Sequence, residues 1–320
     1  MTTYRAAVIG LGIMGRRMLS NLKQHPDFQI AGIWDPSASS VAKTLAEFPS
    51  APLADNPAAL INKSVADFIY IACPPEWHKH YALMAIEAGI AVYMEKPLGV
   101  DIAESEDLVD RLDRTGTPNV VNFVQASCEA LELTQAAIAR GELGAIASID
   151  IVVQYQQWPR VWQVEADWLR FRNAGGYVRE VISHFVFVAE RLLGPAKITF
   201  TAPFYPSDPT LCETAIHAQL DCGGIAVNIF GSCGGIGPDR QEVAVWGSKQ
   251  SHRFSDFYFL ATSDGAEWRN ALPSNADPRA TTLQRQLDNV AKWLDGTEHT
   301  LPSARDALSV QRVIEGILAG

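Results

Sequence analysis

Ala6-Ala7-Val8-Ile9-Gly10-Leu11-Gly12-Ile13-Met14-Gly15 is the stretch that decides the fold. A short apolar run ends in Gly-x-Gly-x-x-Gly, and Met14, Met18, Leu19 and Leu22 follow at helical spacing. Strand, glycine turn and helix form the context in which this motif binds a dinucleotide. Gly10 permits the tight turn, Gly12 leaves room for a pyrophosphate, and Gly15 lets the helix pack close to the strand. Ile13 and Met14 open the helix, whose unpaired N–H groups attract phosphate. The next strand, Ile30-Ala31-Gly32-Ile33-Trp34-Asp35, ends in an acid 35 − 15 = 20 residues past the last glycine. A ribose-binding carboxylate is expected there, and it favours NAD over NADP because it repels a 2′-phosphate. Arg16 and Arg17 weigh slightly the other way.

The same rhythm continues. A helix is expected over 39–48, a short strand region at Leu53, and a short helix over 57–62 started by Asn56 with Pro57 at its first position. Val65 to Ala72 is a nearly continuous apolar run, as a strand covered on both faces requires. A helix over 77–88 closed by Gly89, a strand over 90–94, a helix from the Asp101 cap to about Arg114 and a sixth strand over 120–124 complete the first third. Alternating strands and helices of this kind make a doubly wound parallel sheet, an α/β fold.

The pattern then changes. A helix over 130–139 and an alternating strand over 146–155 precede a tryptophan-rich segment, a Gly175-Gly176 pair and a helix over 177–193. Successive strands are expected at 197–204, 213–220, 225–230, 242–246 and 252–260, joined by short turns into a largely antiparallel sheet. Helices over 282–295 and 303–318 close the chain. The expected division is 1–122 for dinucleotide binding and 123–320 for substrate binding and oligomerisation.

The chain has 320 residues and a net charge of −10 with no basic cluster, which argues against nucleic acid or an anionic membrane as partner. Five cysteines, none in Cys-x-x-Cys spacing, read as small buried residues of a reducing cytoplasm. No apolar leader and no run of about 18 apolar residues is visible.

Chemistry-bearing residues cluster at expected strand ends. One strand runs out into Cys73-Pro74-Pro75-Glu76-Trp77-His78, the next into Glu95-Lys96-Pro97. Ligands of such sheets bind at the carboxyl ends of the strands. Lys96 is placed to hold a hydroxyl that becomes a carbonyl and to exchange its proton, with a salt bridge to Glu95 as the plain alternative. Glu180 and His184, four apart on one helix face, can act as an acid–base pair. Arg179 and Ser183 form the neighbouring ridge.

Taken in order, these motifs resemble the Gfo/Idh/MocA oxidoreductases, the group of glucose–fructose oxidoreductase and inositol dehydrogenase. The likeness runs over nearly the whole chain, including Arg140-Gly141-Glu142-Leu143-Gly144. It implies a Rossmann domain, a C-terminal α/β domain with an open sheet, and an NAD(P)-linked oxidation or reduction of a sugar, sugar acid or polyol. Lys96 matches the family's catalytic lysine and His184 its catalytic histidine. Glu180 stands where the family usually has aspartate, and Asn122-Phe123-Val124-Gln125-Ala126 lacks the arginine often found after the sixth strand. Trp158-Pro159-Arg160, Trp162 and the arginines to Arg172 could replace those substrate contacts.

The expected site is therefore Lys96, His184 and Glu180 for catalysis, with Trp162 and Arg179 added for the substrate. Gly10, Gly12, Ile13, Met14, Gly15, Asp35, Cys73, Pro74, Pro75, His78, Glu95 and Lys96 would serve the cofactor. No metal is called for. Two other readings stay open: an NAD-dependent glycosidase, and a non-catalytic dinucleotide sensor. Val227, Ile229, Val243 and Val245 mark an apolar sheet face whose cover is expected from a second copy, giving a homodimer or homotetramer.

Overall fold

The computed structural model describes residues 3–273 and 277–320. The chain divides into two units: Met1–Phe123 with Gln286–Leu308, and Val124–Arg285 with Ser309–Gly320.

The first unit begins β1 (Tyr4–Ile9), α1 (Ile13–Gln24), β2 (Phe28–Trp34), α2 (Ala38–Glu47), α3 (Pro57–Leu60) and β3 (Phe68–Ile71). It continues through α4 (His78–Ala88), β4 (Ala91–Glu95), α5 (Ile102–Thr115) and β5 (Asn119–Asn122). The five strands are all parallel, in the order β2-β1-β3-β4-β5. The order reverses beside β1, so the crevice between the turns after β1 and β3 is the switch point where ligands bind in such sheets. Leu53 forms a single bridge to Ile33 rather than a sixth strand. The helix starts follow the sequence closely: Ser37, Asn56 and Asp101 each accept a backbone N–H from the third residue on. β3 and β4 are buried throughout, because helices cover both faces.

One boundary differs from the expected one. Leu287, Val290, Trp293 and Leu301 pack into the same core as Val8, Leu19, Ile33, Tyr70 and Tyr93, with Trp293 edge-on to Phe68. Residues 286–308 therefore close the first unit, although they follow the second in sequence. A contiguous reading of the chain has no signal for that return.

The second unit holds α6 (Glu129–Ala139), β6 (Ile146–Tyr155), a one-turn π-helix (Val178–Ile182) and α7 (Ser183–Leu193). Then come β7 (Ala196–Phe204), β8 (Ala215–Cys222), β9 (Ile225–Cys233), β10 (Arg240–Gly247), β11 (Ser251–Ser255), β12 (Phe259–Ser263) and β13 (Arg269–Asn270). α8 (Pro278–Leu294) and α9 (Ala304–Ala319) end the chain. The eight strands run β13-β12-β11-β10-β6-β9-β8-β7, antiparallel except for β6 with β9. The expected single strand over 252–260 is a hairpin instead: Asp256 and Phe257 take left-handed backbone angles (φ 47° and 68°) and turn the chain.

The two sheet faces also exchange roles. Val227, Ile229, Val243 and Val245 are fully buried within the chain, under helices that include α7. The opposite face carries exposed Phe200, Phe230 and Trp246, with the His217 ring stacked on Phe230. Across it runs a row of side-chain bonds, Thr199 to Gln219 to Asn228 to Asp150, where Trp246 Nε1 also donates. Period-two alternation identifies both faces of a strand but not which of them the helices cover. Among the described residues, no helix is long and apolar enough to cross a membrane.

Candidate active site

In the first unit, the glycine turn after β1 is closed by its neighbours. Gly10 has φ 94°, and a Cβ on it would fall 2.5 Å from Cys73 N. A Cβ on Gly15 would fall 1.9 Å from Gly10 O, so no side chain fits where α1 crosses β1. Around Gly12 a Cβ would meet nothing within 4 Å. The turn is thus packed on its inner side and open at Gly12, beside the N-terminus of α1 at Ile13 and Met14, which leaves room for a pyrophosphate.

Asp35 flanks this turn. Its Oδ2 accepts from Leu11 N and its Oδ1 from Ser37 N, both at 2.7 Å. The carboxylate keeps lone pairs for two ribose hydroxyls, since each oxygen can accept twice. Arg16 reaches back to Leu11 O at 2.9 Å and lies 3.5 Å from Glu47. The residues present therefore fit a dinucleotide, whose hydride-accepting nicotinamide would supply the redox chemistry.

The ends of β3 and β4 meet beside it. Pro74 leads into a single 3-10 turn (Pro75–Trp77) before α4. His78 is 1% exposed, and its Nε2 donates to Cys73 O at 2.9 Å, tying the start of α4 to the end of β3. Burial pushes this imidazole down to about 4, and the nearby Lys96 ammonium acts in the same direction. Burial likewise pushes the Cys73 thiol up to about 12. His78 is thus a neutral, packed histidine that shapes the turn.

Glu95 is the last residue of β4, and Lys96 follows it outside the strand. Glu95 is 5% exposed; it accepts from Tyr70 OH and, at 2.7 Å, from Asn122 Nδ2. Gln286 Nε2 in turn donates to Asn122 Oδ1. The Glu95 side chain is therefore committed to the sheet interior, which corrects its placement among the cofactor contacts. It anchors the strand end from which half-buried Lys96 departs.

In the second unit, the Gly175-Gly176 turn leads into the π-helix that carries Glu180 and on to His184 in α7. The π-turn replaces the continuous α-helix expected from residue 177, a local widening that recurs at functional sites. His184 Nδ1 lies 2.7 Å from Gln125 Oε1, and Gln125 is 2% exposed. A carboxamide oxygen only accepts, so the ring meets Gln125 with a protonated Nδ1. The Phe257 ring meets the His184 ring edge to face at 5.4 Å and stacks on Phe185 at 5.1 Å. The hairpin tip that bears Phe257 is held by Cys128, whose Sγ approaches Phe257 O and Tyr258 O at 3.8 and 3.9 Å. Neither Gln125 nor Phe257 belongs to a sequence motif, and the left-handed turn at 256–257 carries no glycine or asparagine to announce it.

Arg179 does not behave as a substrate ligand. Its Nε and Nη2 make a two-pronged contact with the Glu315 carboxylate at 2.6 and 2.7 Å. Its Nη1 donates to Arg172 O and Gly175 O at 2.8 and 2.9 Å. Four of five guanidinium donors are thus used inside the protein, and the group holds the glycine turn. Trp162 is half exposed, with the Arg160 guanidinium over its ring at 4.7 Å and over Tyr155 at 4.8 Å. Trp158 Nε1 donates to Leu169 O at 2.9 Å and fastens the aromatic segment to the chain before the glycines. Among the described residues, no group of three or more His, Cys, Asp or Glu could hold a metal ion.

Residues 4–123 match a family model described as an oxidoreductase family with an NAD-binding Rossmann fold. A glycosyl hydrolase family 109 protein of Saccharopolyspora erythraea is 34% identical over 122 residues, 35% of this chain and 27% of that protein. A scyllo-inositol 2-dehydrogenase (NAD(+)) of Bacillus subtilis is 26% identical over 228 residues, 68% of this chain and 64% of its own length. The chain thus spans less than two thirds of either relative. In fold it is similar to the WlbA dehydrogenase of Bordetella pertussis, solved with NADH and UDP-GlcNAcA: TM-score 0.82, 20% identity, 99% of this chain and 94% of that one covered.

Proposed function

We propose that this chain, whose residues 4–123 match the oxidoreductase family model with an NAD-binding Rossmann fold, is an NAD-dependent dehydrogenase or reductase acting on the CH–OH group of a sugar, sugar acid or polyol. The observation that carries this reading is the pairing of an open Gly12 with an Asp35 carboxylate fixed by Leu11 and Ser37 N–H groups. That pairing supports a bound dinucleotide, and the carboxylate favours NAD over NADP.

Hydride transfer leaves one proton on the substrate hydroxyl to be removed or returned. Lys96 and His184 are the two candidates for that proton. Lys96 offers an ammonium that stabilises a developing alkoxide. His184, protonated on Nδ1 toward Gln125, offers Nε2 as a base. Glu180 is assigned to orienting His184 or the substrate, and half-exposed Trp162 to the apolar face of a sugar ring. Arg179 is assigned to the turn and not to the substrate.

A panel of sugars, sugar acids and polyols with NAD and NADP, read as absorbance of the reduced cofactor, tests the reading. Turnover with NAD that falls about 10²–10⁴-fold in Lys96→Met or His184→Asn, with NAD affinity kept, supports it. Preference for NADP would remove the role given to Asp35. The match to a glycosyl hydrolase family 109 protein favours one second reading, a glycosidase that uses the hydride transiently. Release of free sugar from a glycoside without net NADH would select it.

The exposed Phe200, Phe230 and Trp246 face supports a homodimer or homotetramer through the outer side of the second sheet. Sedimentation as a monomer would count against that assembly. A cytoplasmic location remains the expectation for such an enzyme.

A further inference from the structure

Glu213 lies outside every motif considered so far. It lies two residues before the start of β8 and is 2% exposed. Its Oε1 accepts from Val178 N at 2.8 Å, in the first turn of the helical stretch that carries Glu180 and His184. A Cβ on Gly176 would fall 2.5 and 2.6 Å from its two carboxyl oxygens, so the second glycine of the pair exists to admit this side chain. Gly176 itself takes φ 101°, a backbone state that other residues rarely hold. Sequence pattern, backbone conformation and the carboxylate thus fit one arrangement.

We propose that Glu213 is a positioning residue whose carboxylate seats the π-turn bearing Glu180 and thereby sets His184, and whose protonation loosens that seat. The inference rests on the catalytic role given to His184 above. A charged acceptor holds a backbone N–H about twice as strongly as a neutral one. The carboxylate also faces the positive end of the helical stretch, which a neutral acid does not complement.

The surroundings place this change within reach of ordinary pH. Burial pushes the Glu213 carboxyl up to about 7, while Val178 N–H and Arg179 pull it down. Glu315, paired with Arg179, adds a like charge. The other titratable neighbours are Cys212 on its own segment, Cys233 on β9, Tyr177 at the turn and Tyr205 beyond β7. Burial comes first among the causes that raise all four, so Glu213 is the member of this group that changes charge near neutrality.

The test follows the amide of Val178 and the ring signals of His184 by NMR across about pH 6 to 8, in the wild-type chain and in Glu213→Gln. The expected result is a shared step near pH 7 at both reporters in the wild type, absent in Glu213→Gln. A step at neither reporter, or one that persists in Glu213→Gln, overturns the proposal. These readings need no turnover, so they stand even if the dehydrogenase assignment fails. Where turnover is found, kcat is expected to fall several-fold below the same midpoint with little change in KM, and Glu213→Gln is expected to lose that step. A flat wild-type kcat profile beside an intact NMR step would overturn the link to catalysis.

Discussion

Gln125 Oε1 and His184 Nδ1 stand 2.7 Å apart inside the second unit, and the carboxamide oxygen holds the ring by its Nδ1–H. Gln125→Leu keeps the volume and removes the acceptor. It is expected to lower kcat about 10-fold or more, as loss of an orienting contact behind a functional histidine does. The ¹⁵N spectrum of His184 should then show mixed tautomers. A single Nδ1–H tautomer in Gln125→Leu would refute the orienting role.

Phe257 presses its ring edge on His184 from a turn held in left-handed backbone. Asparagine tolerates that conformation better than most residues. Phe257→Asn is therefore expected to fold and yet to lose about 10-fold in kcat, because the ring is gone. Wild-type kcat in Phe257→Asn would show that the contact is only packing.

The Arg179–Glu315 pair is nearly dry, with side chains 9% and 16% exposed. Removing one partner of such a pair strands the other charge and costs about 3–5 kcal/mol. Glu315→Ala should lower the free energy of urea unfolding by an amount in that range, and Glu315→Gln by less. A loss under about 1 kcal/mol would mean that solvent reaches the guanidinium.

His78 predicts an acid limb of stability. Its folded-state value is about 4 and its ordinary value 6.5, so the unfolded chain takes up a proton first as pH falls. Its contribution is complete above pH 6.5 and is lost between about 6.5 and 4, roughly 2–4 kcal/mol in all. His78→Gln can keep a donor to Cys73 O without titrating. Unfolding measured at several pH values should give a shallower slope over that window for His78→Gln, and equal slopes would refute the account.

The sequence carried the first unit well because its signals are local. Gly10, Gly12 and Gly15 fix the turn by steric need, Asp101 and Asn56 start helices, and buried strands read as apolar runs. Lys96 and His184, the proposed proton-handling pair, stand out by motif position alone. What escaped was long-range: Gln125 beneath His184, Glu213 against Gly176, and the Asn122–Gln286 bond across 164 residues. Each is a polar partner chosen by tertiary packing, and its own neighbours in sequence give no hint of it. Arg179 failed in the opposite way, since its place on the helix ridge looked open until Glu315 from α9 was found to occupy it.

The late return of residues 286–308 has a practical corollary. A gene fragment ending at residue 123 would look like a self-sufficient nucleotide module, yet it would lack Trp293, Val290 and Leu301. It would also leave Asn122 without its Gln286 donor behind Glu95. Chimeras that graft this half onto another catalytic half must transplant both strips of sequence, and libraries that shuffle at a single crossover will break it.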